Sequence, residues 1–272
     1  MSFGFIPLAS SSRGNVTLIE TPQTRVVVDM GISFKRFRKE LETHSISLAT
    51  IDRLYITHAH TDHMSGLEQF MRQTNIPVFT RRKTLEVLRR KFSTWSFDLD
   101  RVELISDPVH QLNDLIIRYF RLPHEGWSDK MDDDTGDHIG FVFEWKGQKL
   151  SFMTDCGHLT EGVKKLIKAS DAYVIESNYD EALQMSSSRA WMLKKRIMGD
   201  RGHLSNKQTA EYLKELIDPE LTKRVFLAHL SLECNTHELA KQTVIQTLAE
   251  HYKDAAMPIE INTLLGQRYP VV

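Results

Sequence analysis

The chain has 272 residues, with 35 Lys and Arg against 36 Asp and Glu and a formal net charge of -1. No whole-molecule field therefore draws it to nucleic acid or to an anionic membrane, and any affinity for phosphate has to be local. Two cysteines, Cys156 and Cys234, are too few for a disulfide framework. The start Met1-Ser2-Phe3-Gly4 lacks the basic region and apolar stretch of a secretory leader, so a reducing cytoplasm is the expected home. No apolar run approaches membrane-spanning length, so no membrane partner is expected, and without repeats or low-complexity linkers residues 1–272 read as one α/β domain.

Along the chain, β-rich runs at 16–19 and 25–29 read as a hairpin, and residues 34–42 follow as a helix with apolar residues at three- and four-residue spacing. A strand at 54–57 leads into His58-Ala59-His60-Thr61-Asp62-His63, four strong metal ligands in six residues. In extended backbone, residues two apart point the same way, so His58 and His60 can grip one ion while Asp62 and His63 turn toward another. Imidazole and carboxylate suit zinc and related divalent ions, and no thiolate pair lies nearby to close a structural zinc site. Open coordination implies catalysis; an exposed His-rich turn is the bland alternative that such ligand density disfavours.

Further on come a helix at 84–92, a strand at 115–122 running up to His124, and an acid-rich loop at 129–137 whose spacing does not match an EF-hand. Strands at 139–145 and 149–154 pair around Lys146-Gly147-Gln148 and end at Asp155. Cys156 reads as a small packed residue rather than a thiolate ligand. A helix at 161–169, a strand at 172–175 before Glu176, and helices at 191–198 and 206–216 follow; Ser205 and Gln208 can form a capping box just after His203. The last units are a strand at 224–228 before His229 and a helix at 236–252. Hairpins beside strand–helix alternation predict mixed sheets. His58, His124, Asp155, Glu176 and His229 each fall at or just past a strand-like run, and strand ends sharing one rim would bring these five groups together in a crevice.

Those residues carry a resemblance. In order, His58-X-His60-X-Asp62-His63, then His124, then Asp155 in Thr154-Asp155-Cys156-Gly157, then His229 in Leu227-Ala228-His229-Leu230-Ser231 resemble the motifs of the metallo-β-lactamase-fold hydrolases, over nearly the whole chain. The resemblance implies an αββα sandwich with metals at the edge between two mixed sheets. It puts His58, His60 and His124 on one divalent ion and Asp62, His63 and His229 on a second, with Asp155 bridging. Zinc is expected, and manganese or iron also suit such ligands. Two divalent ions, two carboxylates and one hydroxide sum to about +1, complementary to a phosphodiester, so nucleic acid or a nucleotide phosphodiester is the expected substrate.

Glu176-Ser177-Asn178, Gly202-His203-Leu204-Ser205-Asn206 and His229 together resemble the nuclease-like branch, with His203 assisting the leaving group. Ser10-Ser11-Ser12-Arg13-Gly14-Asn15 and Leu193-Lys194-Lys195-Arg196-Ile197 extend the likeness to the bacterial YycJ/WalJ group of exonuclease-type members, although Ser at 10 to 12 departs from the glycine-containing loop expected there. Asp62 and His203 are thus the expected catalytic residues, and Arg196, Ser205 and Asn206 the expected substrate contacts. The other basic clusters read as solvated helix faces. A small-molecule phosphodiesterase, or a thioesterase or lactamase on the same scaffold, is the alternative; a di-iron oxidoreductase would carry Glu where His60 stands.

Overall fold

The computed structural model describes residues 2–91, 101–124, 137–252 and 259–272. The elements in chain order begin β1 Gly4–Ala9, β2 Val16–Glu20, β3 Arg25–Val28, α1 Phe34–Thr43, β4 Arg53–Tyr55, α2 Thr61–Met64, α3 Leu67–Gln73, β5 Val78–Thr80, α4 Arg82–Lys91 and β6 Val102–Leu104. They continue β7 Val109–Leu112, β8 Leu115–Arg121, β9 Ile139–Trp145, β10 Gln148–Met153, α5 Glu161–Ile167, β11 Ala172–Glu176, α6 Glu181–Ser186 and α7 Trp191–Ile197. The last are α8 Asn206–Leu216, β12 Arg224–Ala228, α9 His237–His251, β13 Glu260–Thr263 and β14 Tyr269–Pro270. Two sheets result, ordered β14-β1-β2-β3-β4-β5-β6 and β13-β12-β11-β10-β9-β8-β7. Each is mixed: β3 to β6 and β10 to β13 run parallel, while β1 to β3 and β7 to β10 form antiparallel hairpins.

Period-two side-chain alternation builds four layers from these sheets. Val26 and Val28 enter the core between the sheets, whereas Val27 faces the helix layer with Phe37, Leu41, Phe70 and Leu88. On the other side Val174 and Phe226 face inward, while Tyr173, Ile175, Val225 and Leu227 pack on Leu213, Ala240, Val244 and Leu248 of the second helix layer. The two sheets meet through Phe5 and Phe226, edge to face at 4.9 Å, and Tyr55 and Phe141 at 5.5 Å. Truncating Phe226 to Ala would cost about 3–5 kcal/mol, the usual loss for a buried aromatic.

The αββα sandwich is the expected one, and each of the eight expected strands falls on a strand. The β9–β10 connection is a two-residue turn, with Lys146 at φ 49° and Gly147 at φ 81°, the left-handed pair whose twist suits a tight hairpin. Among the described residues six further strands appear, β1, β5, β6, β7, β13 and β14. They are short, or carry Gly4 and Pro7, which mask the period. Residues 61–64, read as extended, are instead the helix α2. Residue 92 of the helix expected at 84–92 and residues 129–136 of the acid-rich loop lie outside the described residues; Asp137, the loop's last member, is buried and accepts from the Lys83 amide at 2.9 Å. No described helix is long and apolar enough to cross a membrane.

Candidate metal centre

Both sheets end on one rim, and the segments leaving their strands carry the chemistry. Asp29 follows β3, His58 to His63 follow β4, His124 follows β8, Asp155 follows β10, Glu176 ends β11 and His229 follows β12. Asp29, Asp155 and His229 hold left-handed backbone, at φ 64°, 56° and 55°. Such conformations cost about 1–3 kcal/mol each and persist where the surrounding fold over-determines them. Here each lets the chain leave its strand sharply enough to turn a polar side chain back over the sheet edge.

Two donor clusters form at this rim. In the first, His58 Nε2 lies 2.9 Å and His124 Nε2 3.2 Å from His60 Nδ1. The other nitrogens of His58 and His124 donate elsewhere, His58 Nδ1 to Thr57 Oγ1 at 3.0 Å and His124 Nδ1 to the Gly202 carbonyl at 2.9 Å. That fixes their tautomers and leaves lone pairs converging on one point, an arrangement that repels itself unless a cation sits among them.

The second cluster joins Asp62, His63, Asp155 and His229. His63 Nε2 is 3.3 Å from Asp62 Oδ2 and 3.1 Å from Asp155 Oδ2, and His229 Nε2 is 3.3 Å from Asp62 Oδ2 and 3.5 Å from Asp155 Oδ1. Asp155 Oδ1 also comes within 3.9 Å of His124 Nε2, so this carboxylate stands between the clusters. Its buried Oδ2 has no aligned hydrogen-bond donor among the described residues, an orphaned acceptor. The donor set and this orphan fit divalent cations.

Two acids, set behind the clusters, orient them. Asp29 accepts from His63 Nδ1 at 2.7 Å and from the Thr57 amide and hydroxyl at 2.8 and 3.0 Å, and that hydroxyl in turn receives His58. Glu176 is fully buried: Oε1 accepts from His229 Nδ1 at 2.7 Å and His203 Nδ1 at 2.8 Å, and Oε2 from the Cys156 and Leu204 amides at 2.9 and 3.2 Å. Carboxylate-held imidazoles of this kind are more basic and fixed in angle.

Electrostatics divide the imidazoles. Burial drives His58 and His124 well below the ordinary histidine range and His60 to about 4, so all three are neutral. Burial also opposes charge on His63 and His229, but the acids around them prevail. Asp155, Asp62 and Asp29 hold His63 well above its usual value, and Asp155, Asp62 and Glu176 push His229 up to about 10. Burial likewise works to raise the carboxyl of Asp155, yet His229 and His63 hold it well below the carboxylate range. Without a cation, positive charge therefore collects on the second cluster as bound protons.

A pocket of about 480 Å³ opens over the clusters and is lined by His60, Asp62, His124, Asp155, His203 and His229. Arg13, Arg189, Arg196 and Arg201 share its wall with a single acid from outside the clusters, Glu233. The molecule's near-zero net charge thus conceals a local cationic rim. Cys156 is buried, its thiol pushed up by burial and donating to the His158 carbonyl, as a packed residue would.

The structure brings together His58, His60, Asp62, His63, His124, Asp155, His203 and His229, and sets Arg196 on the pocket wall. Ser205 and Asn206, expected as substrate contacts, do not line this pocket. Ser205 is buried as the N-cap of α8, accepting from the Gln208 amide and donating to Glu181 Oε1 at 3.1 Å. Asn206 is buried against Ser177 and Asn235, at 2.6 and 2.9 Å. Sequence reasoning left out Asp29, although it ends the run Arg25-Val26-Val27-Val28 by the same strand-end rule that singled out the others. It also left out Asn15, whose amide nitrogen lies 3.3 Å from Asp62 Oδ2 and 3.1 Å from His63 Nε2, and His138, whose ring packs 4.4 Å from that of His58. Asn15 closes the motif at residues 10–15 without being singled out in it, and no local pattern marks His138.

The chain is 29% identical over 272 residues to a protein named exodeoxyribonuclease YycJ from Bacillus anthracis, covering 96% of this chain and 99% of that one. Among solved structures, Zn(2+)-bound PqqB from Methylobacterium extorquens aligns over 98% of this chain and 99% of its own at 14% identity and a TM-score of 0.71. The short form of human tRNase Z aligns over 99% of both at 14% identity and a TM-score of 0.65. A family model described as a beta-lactamase superfamily domain matches residues 24–230. That span runs from β3 to the residue after His229 and takes in both donor clusters: the chain belongs to the β-lactamase superfamily and carries its metallo-β-lactamase fold.

Proposed function

We propose that this metal-dependent hydrolase cleaves phosphodiester bonds with two divalent cations, zinc foremost, and that its substrate is nucleic acid. The carrying observation is a pair of neighbouring donor clusters, with Asp155 in the second and its Oδ1 3.9 Å from His124 Nε2 of the first. His58, His60 and His124 would hold one cation and Asp62, His63 and His229 the other, with Asp155 between them. Such cations supply activation of water and neutralise charge gathering on the phosphate.

The chain's own residues do the rest. The oxygen–phosphorus bond forms as water attacks and gives up a proton to solvent, the bond to the leaving oxygen breaks, and His203 delivers a proton to that oxygen. Glu176 occupies His203 Nδ1, so Nε2 is the nitrogen left for this transfer. The arginine rim, Arg196 included, meets the flanking phosphates, a local field the whole-chain charge does not reveal. The exodeoxyribonuclease name of the relative from Bacillus anthracis supports DNA as substrate. Two buried free thiols suit a reducing cytoplasm.

Purified protein should hold about two divalent ions per chain by elemental analysis, and Asp155→Ala should abolish hydrolysis of bis(p-nitrophenyl) phosphate and lower the metal content. Full activity in Asp155→Ala would refute the assignment. Digestion of end-labelled DNA and RNA then identifies the polymer.

A further inference from the structure

Large apolar side chains stand exposed beside a pocket otherwise built for anions. Leu193 lines the pocket and is 43% exposed, Met192 is 76% exposed, and Leu232 is 58% exposed. Met192 lies four residues, about one helical turn, before Arg196 on α7, and Arg196 is on the pocket wall. Leu232 sits between Ser231 and Glu233, which both line the pocket. Arg189 stitches the two segments together, donating to Glu233 at 3.0 Å and to Ser231 Oγ at 3.4 Å. Leu193 thus lines the pocket among its arginines, and Met192 and Leu232 adjoin lining residues along the chain. Exposed apolar groups beside a cationic pocket mark a contact surface.

A lone phosphate ester has no use for the apolar half. An unpaired nucleic-acid strand has use for both, because each nucleotide presents a phosphate and, beside it, the face of a base. We propose that Met192, Leu193 and Leu232, interleaved with Arg189 and Arg196, form a platform for the unpaired bases of the strand entering the pocket. The inference rests on the nuclease reading and narrows it: the substrate end is single-stranded where it meets the enzyme. A paired end hides its base faces in the stack and leaves this surface uncovered.

The test uses the full chain, loaded with metal, on single-stranded deoxyoligonucleotides with and without abasic positions next to the cleaved bond. Met192→Ala/Leu232→Ala should raise KM on the intact oligonucleotide roughly 5- to 20-fold with kcat little changed. Wild type on the abasic oligonucleotide should show the same raised KM, and the double variant should gain nothing further from the missing base. Matching metal content and Tm establish that the variant is folded. An unaltered KM on the intact oligonucleotide would overturn the platform while leaving nuclease activity in place. So would light scattering that shows a wild-type dimer turned to monomer by the same substitutions, since the surface would then be a subunit interface. Wild-type protein that hydrolyses bis(p-nitrophenyl) phosphate but no oligonucleotide removes the nuclease reading itself, and the platform with it.

Discussion

Glu176 shows how one side chain can govern two others. Its Oε1 is shared between His203 and His229, one reaching toward the pocket and the other toward the second donor cluster, so the proposed leaving-group and cation-binding roles would have a common anchor. Glu176→Gln keeps the shape but replaces a charged acceptor by a neutral one. It should weaken binding of the second cation about 10- to 100-fold, read by titration with a chromophoric chelator. His203→Ala separates the roles. A proton donor matters when the leaving oxygen is a sugar alkoxide and little when it is nitrophenolate. Cleavage of DNA should fall about 10²- to 10⁴-fold, while hydrolysis of bis(p-nitrophenyl) phosphate changes far less. Equal losses on both substrates would make His203 a structural residue.

At the scale of elements, the ligand motif is a strand end spliced to a helical turn. His60 is the N-cap of α2, and Asp62 and His63 lie in its first turns, so a change from extended to helical backbone turns them toward the second cluster. The segment is pressed against Gly31, where an added Cβ would stand 1.7 Å from the Asp62 carbonyl oxygen. Gly31→Ala must push the two apart. It should cost about 1–3 kcal/mol of stability as overpacking does, and it should reduce bound metal toward one ion per chain, measured by thermal melting and elemental analysis. Ser205 illustrates the reverse case, a residue near the chemistry whose work is in its own helix. Its capping box with Gln208 opens α8, the helix that follows His203. Ser205→Ala should lose about 1 kcal/mol of stability with KM for substrate held; a raised KM would restore Ser205 to the substrate contacts.

For the molecule as a whole, charge at the centre couples to pH. The acids hold His63 well above its usual range and push His229 up to about 10, so in the metal-free protein both rings favour their charged, doubly protonated forms. A cation needs those nitrogens bare, and binding at the second cluster must release them. Calorimetry of metal uptake in buffers of different ionisation enthalpy should report about two protons released at pH 7.5. Affinity should weaken by roughly tenfold per proton for each unit that pH falls. Uptake without proton release would place the cation elsewhere.

Much of this was legible in the chain. Short β-rich runs and turn residues marked eight strands, because sheets covered on both faces write near-continuous apolar runs into local sequence. The density of His58 to His63 named the centre, and the strand-end positions of His124, Asp155, Glu176 and His229 named its remaining partners. What stayed hidden depends on contacts across long separations. Asn15 and His138 are ordinary residues until the sheets meet, and Ser205 and Asn206 sit in a motif but are turned inward by capping and by Asn235. The arginine rim with its apolar neighbours joins residues 13, 189, 193, 196, 201 and 232, which share no pattern along the chain. Local composition fixes which runs become buried strands; only the packing of the sheets decides which distant strand ends share a rim, and so where charge, cation and substrate meet.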